Sequence, residues 1–256
     1  MKEKPVNEHQ PLGDSHARCR LCCQIRKLSN SHIIPEFFYD CIYDDKHRLN
    51  FVSGGPTKAP RPEQKGLREY LLCDKCETQL SKHEGYVRRV MYGGADCHKS
   101  RVGDLYVLTG LNYQHIRLCY LSILWRMSVS RHPFFSEVTL GRHEEIIRNM
   151  LLHGDAGLPE HYGFLGFVPF INGKFHSDLI TQPECVKHCG HRLYRVVIGG
   201  LLIVFFVSSH HPPQGVKDFF PQPDGKWSMI GKDIGQLTFL AEWFVAVAKK
   251  HNDSRH

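Results

Sequence analysis

The chain has 256 residues, 41% of them hydrophobic, and a formal net charge of +7 with its 18 histidines neutral. That length supports one large domain or two modest ones with a real core, and the charge is a mild bias toward polyanionic partners that solubility explains equally well. The opening residues, MKEKPVNEHQPLGDSHARC, contain no apolar run, so no secretory leader is expected there.

The longest apolar stretch, Val196 to Val207 (VVIGGLLIVFFV), falls short of the ~20 residues that a membrane helix needs. Its central Gly199-Gly200 pair predicts a hairpin between two buried strands instead. The expectation is a soluble, cytoplasmic protein with no membrane partner. Ten cysteines in such a setting point to metal ligation or free thiols rather than a disulfide framework. Five of them, Cys41, Cys97, Cys119, Cys185 and Cys189, are scattered and read as small buried residues.

In chain order, residues 1–15 are polar and read as a disordered tail. A cysteine-bearing unit follows over 16–98, interrupted by the Gly- and Pro-rich loop 53–66. LREYLLC (67–73) predicts a short strand, and CETQLSKHEGYVRRVMY (76–92) a helix that begins at the second cysteine pair. Residues 99–256 predict a further α+β domain. It contains a strand at 104–110, a core helix at 112–131 with a wide apolar face, and an amphipathic helix at 141–154 ended by Gly154. Strands of an antiparallel sheet follow at 162–171, 191–198 and 201–209. An amphipathic helix at 235–250 closes the chain.

Cys19-x-x-Cys22 and Cys73-x-x-Cys76 supply four thiolates in two knuckles, the pattern that closes a tetrahedron around Zn2+. Cys23 competes with Cys22, but the two-residue gap suits a knuckle better. Four sulfurs leave no open coordination position, so this zinc is expected to be structural and the chemistry to come from neighbours.

Between the pairs lies Ser31-His32-Ile33-Ile34-Pro35. The layout of Cys-x-x-Cys, an S-H-I-I-P strand and LLC-x-x-C entering a helix resembles the HNH nucleases, over Cys19 to about Val90. SHIIPEFFY, GLREYLLCDKCE and SILWRMSVS also resemble uncharacterised bacterial HNH-like proteins. The resemblance implies a treble-clef, ββα-metal module and a phosphodiester-cleaving activity on DNA or RNA. It implies His32 as the general base, whose near-neutral pKa suits proton abstraction, and a separate catalytic Mg2+ or Mn2+.

Three positions depart from the family's pattern. Ser31 stands where an Asp or His ligand is usual, Arg68 at the middle Asn, and Glu77 in place of the last His or Asn. Glu77 is a hard oxygen ligand suited to Mg2+ or Mn2+. Glu84 lies two turns along the same helix face, so Glu77 with Ser81 or Glu84 could hold the metal while Arg68 or Lys65 meets the phosphate. Against this, Glu77 could merely complement the helix N-terminus, and Glu84 reads better as a solvated surface charge. His83 points away from that face.

The remaining signals are weaker. Phe37, Phe38 and Tyr39 read as core packing. Arg88 and Arg89 could contact phosphate or stabilise their helix end, and Arg126 and Arg131 read as surface charges. CVKHCGHR (185–192) lacks a remote partner pair for a second metal, and SSHHPP (208–213) reads as a loop. No phosphate-cradling loop, G-x-S-x-G elbow or H-E-x-x-H helix is present.

Two readings result. One is a metal-dependent HNH-like nuclease whose second domain positions substrate, binds a protein partner or mediates homo-oligomerisation. The other is a non-catalytic zinc module that binds nucleic acid or protein.

Overall fold

A computed structural model describes residues 16–40, 42–43, 66–177, 179–188, 190–213 and 215–233. The expectations for the tail 1–15, most of the loop 53–66, the helix 235–250, and for Cys41, Lys65 and Cys189 lie outside the described residues.

Three antiparallel strands open the fold: β1 (His16–Arg18), β2 (Ile25–His32) and β3 (Arg68–Cys73), in the order β1-β2-β3. The β2–β3 register slips between Ser29 and Asn30, then pairs Ser31 with Glu69 and His32 with Arg68. Helix α1 (Asp74–Tyr92) follows β3 without a loop. It buries Cys76, Leu80, Val87 and Val90 along one stripe, together with His83, which the sequence reading had placed off the functional face.

The rest alternates strands and helices. In chain order come β4 (His98–Val102), β5 (Leu105–Thr109), α2 (Tyr113–Val129), α3 (Arg142–His153), β6 (Phe164–Ile171), β7 (Lys174–Phe175), β8 (Glu184–His188), β9 (His191–Ile198), β10 (Leu201–Val207) and β11 (Trp227–Asp233). These strands form one sheet in the order β4-β5-β11-β6-β10-β9-β8, with β7 on β6. The sheet is antiparallel except that β11 runs parallel to β6, a departure from the purely antiparallel expectation. The β9–β10 turn is the predicted Gly199-Gly200 pair, both at positive φ (58° and 78°), which a primed two-residue hairpin requires. A Cβ on Gly199 would sit 2.8 Å from the Phe38 ring, so this turn is also a seat for the N-terminal segment.

Helix α2 is buried almost all round. Its Tyr120 ring meets Phe38 at 6.4 Å, Phe164 of β6 at 5.0 Å and Trp227 of β11 at 5.6 Å. One apolar cluster accordingly runs from Cys19 and Ile33 through α2 to Val207 and Met229. A smaller cluster, Leu193, Val197, Leu202 and Val204, uses the alternate positions of β9 and β10. The fold is α+β, with four cysteines clustered near its N-terminal end. Phe37, Phe38 and Tyr39 are buried as core packing.

Candidate functional site

Cys19 and Cys22 lie in the β1–β2 connection, Cys73 ends β3 and caps α1, and Cys76 falls in the first turn of that helix. Their ligand atoms all lie within 4.8 Å of one another. The Cys22 to Cys73 Sγ separation is 3.9 Å, against the ~3.8 Å edge of a tetrahedron with Zn–S bonds of about 2.3 Å. Cys23, the adjacent competitor, is outside this group and sits at φ 60°.

Burial, then the neighbouring sulfurs, push the Cys76 thiol up, and burial does the same to Cys19. A dication reverses that balance by favouring thiolates. The Cys73 N–H already points at Cys19 Sγ, 3.4 Å away. The quartet could therefore hold a metal ion such as zinc. Arg148 of α3 donates to the Leu21 carbonyl inside the first knuckle, so the knuckle is docked on the second half of the chain.

His32 is the last residue of β2, and its side chain is 17% exposed. Its Nε2 accepts a hydrogen bond from Arg68 Nε at 2.8 Å. The same guanidinium reaches Glu36 Oε1 through Nη2 at 3.3 Å. Burial first, then the Arg68 and Arg126 charges, depress the imidazole to about 4. His32 is therefore neutral at physiological pH, with the Nε2 lone pair aimed at Arg68. The near-neutral value expected from the sequence is corrected: in this pocket, with Arg68 in place, the imidazole is a weaker base than a free histidine.

Ser31 points the other way along the pleat and is buried, accepting the Leu72 N–H at 3.2 Å. Glu77 lies against it. Burial raises the Glu77 carboxyl, and the Ser31 hydroxyl and Arg126 partly offset that. Glu77 Oε1 is buried without a hydrogen-bond partner, the condition that a ligand, ion or water would relieve.

Two sequence readings are corrected here. Arg126 is not a surface charge: its side chain is 1% exposed. It donates to the His32 carbonyl at 2.7 Å, to Ser122 Oγ at 3.0 Å, and to Glu84. Glu84 is accordingly not a solvated charge but the partner of a buried guanidinium, because α2 packs directly against its face of α1. Ser81 turns back onto the Thr78 carbonyl on the exposed side. Arg88 and Arg89 are exposed, Arg88 lying 4.0 Å from Asp40 and Arg89 over the Tyr86 ring. Arg131 is exposed as read.

Arg126 thus stands between the two halves of the candidate site, touching the His32 backbone and weighing on Glu77. The sequence did carry a signal for it: a cation set among the apolar residues of Leu121–Met127 has to find a buried partner.

Among the described residues, only the four cysteines bring three or more metal-ligating atoms within 4.8 Å of one another. Glu77 keeps one unpartnered oxygen, whereas Glu84 is occupied by Arg126. A single carboxylate suffices for Mg2+ when water and substrate phosphate complete the shell. No protein-family model, curated protein or solved structure matches the chain. No helix among the described residues is long and apolar enough to cross a membrane.

Proposed function

We propose that the chain is a phosphodiester-cleaving nuclease of the HNH-like type, built on a treble-clef zinc module and acting on DNA or RNA. The observation that carries this reading is the neutral His32, its Nε2 held 2.8 Å from the Arg68 guanidinium. A phosphate is a better partner for Arg68 than an imidazole is. Once a phosphodiester takes the guanidinium, Nε2 is released to accept a proton from water. The water oxygen forms the new P–O bond, the ester P–O bond breaks, and the departing alkoxide takes its proton from solvent. Arg126 fixes the His32 backbone during this step. Glu77 would hold Mg2+ or Mn2+, whose chemistry is neutralisation of charge on the phosphoryl oxygens, but it lies with Ser31 on the opposite side of the β2 pleat from His32, and the two side chains are not in contact. The exposed Lys75, Lys82, Arg88 and Arg89 of α1 suit a polyanion.

One observation favours the second reading, a zinc module that binds nucleic acid without cutting it. The His32 lone pair already has a donor in Arg68, which a purely structural pair would also show.

The test is incubation of the wild-type chain with single- and double-stranded DNA and RNA in Mg2+, Mn2+ or EDTA. The nuclease reading predicts cleavage that EDTA abolishes, with Glu77→Gln requiring at least about tenfold more Mg2+. Nucleic acid retained intact under all conditions, with retention weakened by Arg68→Ala, would instead support the binding module.

A further inference from the structure

Two histidine-bearing stretches that the nuclease reading does not use, CVKHCGHR and SSHHPP, meet at one corner of the large sheet. His188 ends β8 and His191 begins β9, and they are direct cross-strand partners. Partners of that kind project from the same face with Cβ atoms about 4.5–5.5 Å apart. His210 comes from the segment after β10, and its ring centre lies 6.5 Å from that of His191, with the planes at 87°.

His191 is 6% exposed, packed edge-on against Phe206. Its Nδ1 is buried with no hydrogen-bond partner. A buried imidazole nitrogen without solvent or partner costs free energy that a bound group recovers. The segment bearing His210 is anchored: Arg142 Nη2 donates to Ser209 Oγ at 2.7 Å, and Ser208 Oγ accepts the His210 N–H at 3.0 Å. His188 and His210 are exposed and can turn about their side-chain bonds.

We propose that His188, His191 and His210 form a second metal site, independent of the four cysteines, that takes a divalent first-row transition ion such as Zn2+, Ni2+ or Cu2+. Imidazole is the donor these ions share. Burial first, then His210 and His188 alongside, lowers the His191 imidazole from its ordinary value, which favours the form that ligates. With metal–nitrogen bonds of about 2.0–2.1 Å, two imidazoles on one ion have ring centres roughly 5 Å apart, so the His191–His210 gap closes by less than the reach of one rotamer change. The bound ion would clip the β8–β9 turn to the segment after β10 and leave a position for water.

The experiment is Co2+ titration of the tag-free full-length chain, followed by optical absorption, with metal content measured in parallel. The expected result is two kinds of site. One gives the intense thiolate-to-metal bands of the cysteine quartet; the other adds an equivalent with weak ligand-field bands and no thiolate band. His210→Ala, an exposed change that leaves the core untouched, removes the second equivalent and keeps the thiolate bands. His191→Phe, which fills the same apolar seat, does the same. A wild-type chain that binds at the thiolate site alone overturns the proposal, as does a second equivalent that survives both variants.

Discussion

Arg126 joins the N-terminal hairpin to the central helix through a single guanidinium, bonded to the His32 carbonyl, Ser122 and Glu84. Removing one partner of a buried ion pair strands the other, so Arg126→Leu is expected to cost about 3–5 kcal/mol in urea denaturation. Adding Glu84→Gln should recover a clear part of that loss, because the stranded charge goes with it. Equal losses in the single and double variants would contradict this account of the pair. The sequence reading set Arg126 on the surface, and the reason is physical. Periodicity shows which positions are apolar, but not that a counter-charge 42 residues away will be folded against one of them. His32 was singled out from the sequence because its motif is local. The hydrogen bond from Arg68 was not, since it depends on the register of β2 against β3 across a slip at Ser29 and Asn30.

At the scale of elements, the cysteine quartet ties the β1–β2 knuckle to the β3–α1 junction, and Arg148 ties the knuckle to α3. Stripping a metal from such a quartet leaves crowded, buried thiols in place of thiolates. Chelation, or Cys76→Ser, is therefore expected to lower stability by several kcal/mol, to an order of magnitude. Hydrogen exchange should quicken first at the amides around Cys19–Gln24 and Cys73–Cys76, ahead of β9 and β10. Unchanged exchange there after chelation would mean that packing alone holds the knuckle. The two-residue spacings made this unit readable, as did the period of α1 and the run of β9 and β10. Strands β1, β4, β7, β8 and β11 were not read from the sequence, and two of them show why. β4, HKSRV, is exposed at every position as an edge strand should be, and so offers no apolar signal. β11, WSMIGKD, pairs in parallel with β6 some sixty positions earlier, a long-range contact that no local pattern encodes.

For the whole molecule, the sequence divides at about residue 98 by composition, while the apolar core runs through both segments. α2 is the element responsible, with Phe38, Phe164 and Trp227 all against Tyr120. His32 is thereby set on a packed frame: β2 below it, α2 behind its carbonyl, and the cysteine knuckle at the far end of the hairpin. The central claim is that this frame presents His32 as a base. The most direct measurement compares cleavage by wild type and by His32→Ala under the metal that supports cutting, with bound zinc quantified in both. The account predicts a loss of at least about 100-fold in rate, the usual range for a general base, with zinc content unchanged. Equal cleavage by the two proteins, or none by wild type on any nucleic acid, would contradict it.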